Sequence, residues 1–319
     1  MQSNNEEIMV SVCMIAYNHE RFIRQALDSV LNQKTNFKYE IIIHDDASPD
    51  NTADIIREYE KKYPNIIKAI YQKENQFSKN GGILQNYIYP SVRGKYIAFC
   101  ECDDFWIDEY KLQKQVDFLE KHPDIFSVAH RYEVVDVNGN IVEYSHKGIK
   151  LDRYFTKRDV LKYKSGTLHP NSVIYRSSLI RDEGYIKGRK KCCILGGHTF
   201  LIYNLAQRSD IYMLDECMSA WRRVVEKGGT SYASRAAAHI ISYNIKLLDM
   251  YCRYSEFFGK EYNFKPIIRD MLLNDIKVII KNNEEGISKI KAIKECLKLV
   301  SLTDILSLPY YEITKRSRR

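Results

Sequence analysis

The chain opens with apolar runs of strand length that alternate with segments whose apolar residues recur at helical spacing. Val10 to Ile15 is a nearly continuous apolar run, and from Glu20 to Asn32 the residues Phe22, Ile23, Ala26, Leu27, Val30 and Leu31 return every three or four positions. Tyr39 to Ile43 predicts a second strand. The turn-rich segment Asp45 to Thr52 opens a helix carrying Ile55, Ile56, Tyr59 and Tyr63, which Pro64 stops. Ile66 to Tyr71 predicts a third strand, Ile83 to Tyr89 a shorter helical stretch, and Lys95 to Cys100 a fourth strand. Such apolar strands separated by helices imply a parallel sheet covered on both faces. Beyond residue 234 the pattern changes to helices alone, over Ala236 to Phe258, Lys265 to Lys281 and Ile287 to Leu299.

Composition narrows the class without naming it. The 319 residues allow one large domain or a domain with a sizeable addition, and 45% hydrophobic with 28% charged residues fits a soluble globular protein. No run approaches the roughly 18–20 uncharged apolar residues of a membrane span, and Met1 to Glu7 lacks the basic start and apolar stretch of a secretion signal. A cytoplasmic protein is expected. The eight cysteines include no C-x-x-C pair and read as buried thiols in a reducing compartment. The net charge of +8 suits an anionic partner, and the terminal run Lys315-Arg316-Ser317-Arg318-Arg319 offers peripheral contact with an anionic membrane. That contact would place the protein at the inner face of the cell membrane. The terminal helices could also support a homodimer, and no nucleic acid is expected as a partner.

Candidate chemistry collects at the strand ends. In an open parallel sheet, ligands bind at the carboxyl ends of the strands, near the point where strand order reverses. Strand one ends in Ala16-Tyr17-Asn18, strand two in Asp45-Asp46, strand three in Gln72-Lys73-Glu74-Asn75, and strand four in Glu101-Cys102-Asp103-Asp104-Phe105-Trp106. Three carboxylates delivered together repel one another until a cation or a bound ligand relieves them. A solvated acidic turn is the ordinary explanation for such a run taken alone; its recurrence with the other polar strand ends describes a site for a nucleotide diphosphate and its metal. No G-x-G-x-x-G follows strand one and no G-x-x-x-x-G-K-[ST] occurs, which disfavours dinucleotide and P-loop enzymes.

Three segments carry a family resemblance: Val10 to Asn18, Ile41 to Thr52, and Tyr96 to Trp106 continuing into Lys111-Leu112-Gln113-Lys114-Gln115. The chain resembles the inverting glycosyltransferases of family 2, which have a GT-A fold, closely over residues 8 to 130 and more loosely over 165 to 232. The fold implied is α/β: a GT-A, Rossmann-like, mostly parallel sheet covered by helices, with a C-terminal helical appendage. Residues 1–233 would form the catalytic domain, with 8–105 as its nucleotide-sugar half and 106–233 as its acceptor half, followed by the helical region 234–319.

The resemblance also implies roles. Ala16, Tyr17, Asn18, Asp45 and Asp46 would hold the base and ribose of a nucleotide-diphosphate sugar, a UDP-sugar by expectation, with Lys73 and Asp104 beside them. Glu101 stands where the family's Asp-x-Asp motif has its first aspartate, and Asp103 matches the position that ligates the metal. Glu101 would reach ribose or metal through water. Hard oxygen ligands select Mg2+ or Mn2+ over zinc. Arg222 and Arg223 would pair with phosphate, with Gly228 to Ser231 in a closing loop, while Val224 and Val225 stand where the family often has a histidine. Trp106, His169 and Trp221 would lie on the acceptor side. The family's general base, an aspartate, aligns with His198 in Leu195-Gly196-Gly197-His198-Thr199. An imidazole with an ordinary pKa of about 6.5 is a competent base; Asp215 and Glu216 are the alternatives.

The activity implied is metal-dependent sugar transfer to a hydroxyl of a glycan or lipid-linked acceptor, in the building of a bacterial surface polysaccharide. Two rivals share the sheet. A sugar nucleotidyltransferase would need a glycine-rich, basic loop after strand one, which Ala16 to Glu20 does not supply. A non-catalytic binding module would keep the fold and lose the base.

Overall fold

The structure is a computed structural model, which describes residues 7–79, 81–163, 168–224, 236–284, 286–300 and 305. They form two compact units. The first comprises residues up to Tyr185 together with Leu201–Arg223, and the second Ile186–Phe200 with the residues from Val224 onward. Ile186–Phe200, which the sequence reading placed in the acceptor half, groups with the C-terminal helices.

In the first unit the elements run β1 (Ile8–Ala16), α1 (Ile23–Leu31), β2 (Lys38–Asp45), α2 (Thr52–Lys62), β3 (Ile67–Tyr71), α3 (Gln76–Lys79), β4 (Tyr96–Phe99), β5 (Phe105–Trp106) and α4 (Lys111–Lys121). They continue with β6 (Ser127–Val135), β7 (Ile141–Tyr144), β8 (Arg153–Phe155), α5 (Lys157–Tyr163) and β9 (Ile174–Arg176). Helices α6 (Glu183–Cys192) and α7 (His198–Arg208) each run from one unit into the other, and β10 (Ile211–Arg222) completes the sheet. The expected helix over Ile83 to Tyr89 is a π-helical turn, Leu84–Ile88, followed by a 3-10 turn, Tyr89–Ser91.

One sheet takes the order β3-β2-β1-β4-β9-β6-β10-β5, with β7 against β6 and β8 against β10. Strands β3, β2, β1 and β4 are parallel, and the register sets Ala16 beside Asp45 and Asp45 beside Tyr71. Three expected strand ends therefore share one row. Beyond β4, the three-residue β9 runs antiparallel to both of its neighbours, while β10 runs parallel to β6.

The core follows from the apolar period. Val10, Val12, Met14 and Ala16 of β1 face Ile23, Ala26, Leu27 and Val30 of α1, with Ile55 and Ile56 of α2 and Leu112, Val116 and Leu119 of α4 in the same cluster. Each fully buried Leu or Ile there contributes about 1.5–3 kcal/mol. At the amino edge the carboxylate of buried Glu40 accepts from the Ser11 hydroxyl at 2.7 Å and from the Arg93 backbone and Nε at 3.0 and 2.8 Å.

The second unit contains α8 (Ile240–Phe258), α9 (Lys265–Lys281) and α10 (Lys289–Leu299). Its core is aromatic: the rings of Phe200, Tyr254, Phe257 and Phe258 meet in tilted and edge-to-face pairs with centroids 5.1–6.2 Å apart. Gly188 lies against this cluster, where an added Cβ would fall 2.3 Å from the Phe257 ring. Among the described residues, no helix is long and apolar enough to cross a membrane.

Candidate active site

The acidic loop is stitched to β1 beyond the end of β4. The backbone N–H groups of Cys100 and Cys102 donate to the carbonyls of Cys13 and Ile15, each at 3.2 Å, so Glu101 to Asp104 run beside the carboxyl end of β1. Strand order 3-2-1-4 puts β1 between two neighbours reached in opposite directions, which is the switch point where a ligand crevice opens.

On the β2 side, Asp45 accepts from the Ser48 hydroxyl and N–H at 2.5 and 3.3 Å, and Ser48 Oγ in turn accepts from the Asn18 N–H at 3.0 Å. Asn18 and Ala47 both adopt left-handed backbone, with φ of 60° and 58°. This lacing holds Ala16, Tyr17 and Asn18 against the end of β2. The buried carboxylate of Asp46 accepts from the N–H groups of Gln76 and Phe77 at 2.8 and 3.0 Å and so caps α3. Lys73 is exposed just past β3.

Within the loop, the Asp104 N–H closes a turn on the Glu101 carbonyl at 2.9 Å. Removal from water and the neighbouring Asp103 push the Glu101 carboxyl up to about 7. Burial, then Asp103 and Glu101, raise Asp104 well above the ordinary carboxylate range. Both groups resist carrying charge together. Asp104 Oδ1 accepts from the Arg222 backbone N–H at 2.8 Å, and Oδ2 accepts from Asn171 Nδ2 at 3.0 Å. The same Asn171 amide donates to the Ala220 carbonyl, while its oxygen accepts from Ser219 Oγ, each at 3.0 Å.

His169 completes the cluster. Its Nδ1 lies 3.6 Å from Asp104 Oδ2, and its ring stacks on Trp221 with centroids 4.9 Å apart, beside Tyr132 at 5.6 Å. Glu101, Asp104 and His169 each bring a ligand atom within 4.8 Å of the others, a donor set suited to a divalent cation. Asp103, expected as the metal ligand, is absent from this trio; its Oδ2 sits 3.9 Å from His19 Nε2.

Two further residues of the expected site, Arg222 and Trp106, make extensive contacts of their own. The Arg222 guanidinium is spent on the scaffold: Nε donates to the Asp103 carbonyl at 3.0 Å, one amino group to the Asp136 and Val137 carbonyls, each at 3.2 Å, and the other to Gln25 at 2.6 Å. These contacts clamp the acidic loop. Trp106, expected on the acceptor side, is buried, with Lys111 Nζ 4.1 Å from the centre of its ring. Burial pulls the Lys111 ammonium down to about 7, and it donates to Gln115 at 2.8 Å. Gln115 donates onward to the Ser172 carbonyl at 3.0 Å, which braces the turn carrying His169 and Asn171.

His198 is half-buried and opens α7 in the second unit. Of the alternative bases, Asp215 pairs with Arg131 and Glu216 with Lys114. Arg223 lies 5.8 Å from the Trp221 ring. Val225 and the closing-loop segment Gly228 to Ser231 lie outside the described residues. Neither His19 nor Asn171 stands out in the sequence as a site residue. The only local signal was a polar residue between Pro170 and Ser172, ahead of a strand.

Residues 11–184 match the family profile described as glycosyl transferase family 2, which is more than half of the chain. The chain belongs to glycosyl transferase family 2. One relative, the putative teichuronic acid biosynthesis glycosyltransferase TuaG of Bacillus subtilis, is 35% identical over 158 residues, 50% of this chain and 59% of TuaG. The chain spans 58–59% of the length of such curated relatives. Staphylococcus aureus TarS, residues 1–349 in complex with UDP, superposes with a TM-score of 0.54 at 18% identity, over 98% of this chain and 92% of that one. The mannosyltransferase PcManGT of Pyrobaculum calidifontis, in complex with GDP-Man and Mn2+, gives 0.52 at 14% identity, over 97% and 81%. These likenesses establish the GT-A fold of a family 2 glycosyltransferase.

Proposed function

We propose that this family 2 chain is a metal-dependent, inverting transferase that moves a sugar from a nucleotide-diphosphate sugar, with UDP as the expected nucleotide, to a hydroxyl of a glycan or lipid-linked acceptor in surface-polysaccharide synthesis. The observation that carries the reading is the gathering of Glu101, Asp104 and His169, next to Asp103, at the carboxyl edge of the parallel strands. Two crowded carboxyls with raised pKa values suit a Mg2+ or Mn2+ ion shared with a diphosphate. Glu101, Asp104 and His169 would hold that ion, which when bound offsets the charge growing on the departing diphosphate. The teichuronic acid role in TuaG's name supports a surface polymer as product, and the ligands of TarS and PcManGT support the donor and metal classes.

The rest of the work falls to the protein's own side chains. Ala16, Tyr17 and Asn18 line the base and ribose, with Asp45 fixing their loop through Ser48. His169 and Trp221 present a stacked aromatic face to the acceptor. His198 takes the acceptor proton as the hydroxyl oxygen attacks the anomeric carbon from the face opposite the diphosphate. The bond to the diphosphate oxygen breaks with its electron pair, and configuration inverts. On this reading residues 1–233 are catalytic, with 234–319 as a helical addition, and the enzyme works in the cytoplasm beside the membrane.

The test is a panel of nucleotide sugars offered with glycan and lipid-linked acceptors, reading nucleoside diphosphate release and the anomeric configuration of the product. Release that needs a divalent cation, with an inverted product, is expected. Binding without turnover across the panel contradicts the transferase reading. His198→Ala is expected to cut turnover about a hundredfold while sparing donor binding; unchanged turnover removes His198 as the base.

A further inference from the structure

We infer that the turn joining α9 to α10 is a docking surface for an anionic lipid bilayer. Ile280 and Ile290 are 60% and 70% exposed, and Ile287 between them is exposed as well. Lys289 Nζ donates to the Ile280 carbonyl at 2.8 Å, which holds the start of α10 against the end of α9 and keeps the three isoleucines on one turn. Apolar tips of this size have no folding reason to face water, and clustered exposure marks an interaction site.

The surroundings select the occupant. Lys281, Lys291 and Lys294 are exposed around the turn, and none of them is in an ion pair among the described residues. Glu284, inside the turn, is drawn inward: its carboxylate accepts from the Ile241 N–H at 2.8 Å and the Ser242 N–H at 3.3 Å. Glu295 is the acidic residue left exposed on α10.

The same sign holds over the whole second unit, whose sequence contains 21 basic against 11 acidic residues, a net +10. The chain as a whole carries +8, so the rest of it is slightly negative. Around the turn itself, from Lys277 to Lys298, six lysines stand against Glu284, Glu285 and Glu295, so the local balance is positive as well. A second copy docked by this face would bring lysines against lysines. A surface of anionic headgroups over acyl chains satisfies both features, with isoleucines entering the interface and lysines meeting phosphate.

The basic tail lies outside the described residues, and the test of this surface does not depend on sugar transfer. The full chain is sedimented with phosphatidylcholine vesicles and with vesicles that also contain phosphatidylglycerol. Binding to the anionic vesicles alone, weakened by salt, is expected. Ile287→Ser with Ile290→Ser should lower the partition about tenfold. Lys281→Gln with Lys291→Gln and Lys294→Gln should lower it about a hundredfold, roughly fivefold for each lysine. These side chains face water, so circular dichroism and melting should match the parent. Three results overturn the inference: no binding to anionic vesicles, binding that survives both sets of substitutions, or a change in self-association in place of vesicle binding.

Discussion

Asp104 is held from two sides by groups far from it in sequence, the Arg222 backbone and the Asn171 amide, while its pKa is raised by burial beside two other carboxyls. Asn171 is the more exposed to test because one side chain makes three buried contacts. Asn171→Ala would leave the Ala220 carbonyl and the Ser219 hydroxyl short of a partner and free Asp104 to turn. A loss of about 2–3 kcal/mol in urea unfolding is expected. Manganese affinity by calorimetry should fall tenfold or more, the usual cost of losing an outer-shell partner. Affinity equal to the parent would place the cation elsewhere. Nothing in the sequence near Asn171 announces this role, because its partners lie 48 to 67 positions away. Glu101, Asp103 and Asp104 could be read directly, since they end a strand that the apolar pattern predicts. His19 could not, because its approach to Asp103 depends on the β1–β4 pairing.

At the scale of elements, β1 to β4 were legible because buried parallel strands read as apolar runs, and their helices carry a clear period. The second half was less so. Strand β5 has two residues, too short for any pattern, whereas the apolar Val173 to Arg176 reads as a strand and forms the three-residue β9. Strand β10 reads as Ile211 to Leu214 because Asp215 and Glu216 interrupt it; register shifts after Leu214 and Cys217 put both carboxylates where they meet Arg131 and Lys114, and the strand resumes to Arg222. The amino edge supplies an element-scale prediction. A Cβ on Gly94 would lie 2.4 Å from the Ser11 nitrogen and 2.7 Å from the Val10 carbonyl carbon, both backbone atoms that cannot step aside. Gly94→Ala should cost about 2–3 kcal/mol in denaturant titration. Activity per folded molecule should be kept, since the site lies at the opposite edge. A neutral effect would contradict the β1–β4 register.

At the scale of the whole molecule, the two compact units have different liabilities. Asp275 on α9 is buried, its Oδ2 lacks a hydrogen bond among the described residues, and desolvation pushes its carboxyl from 3.8 up to about 7. The Cys296 thiol on α10 feels the same carboxyl and is pushed up to about 11, chiefly by burial. Because the folded chain keeps the Asp275 proton to higher pH than the unfolded chain, stability falls as pH rises from about 4 to about 7, and the penalty is complete above that. Asp275→Asn should therefore be more stable than the parent at pH 8, by about 2 kcal/mol, with the advantage gone near pH 4. Melting curves at the two pH values decide it, and an advantage independent of pH would exclude the carboxyl as its source.

On the proposed function, the acidic loop beside β1 and β4 holds a nucleotide diphosphate together with a divalent cation. The most direct measurement is the melting temperature of the full chain with UDP-sugars and Mn2+, separately and together, for the parent and for Glu101→Gln. A ligand that binds only the folded state raises the melting point by mass action. With both present the rise should exceed the sum of the separate effects, vanish with EDTA and be lost in Glu101→Gln. A rise of the same size in EDTA, or undiminished in Glu101→Gln, would contradict it.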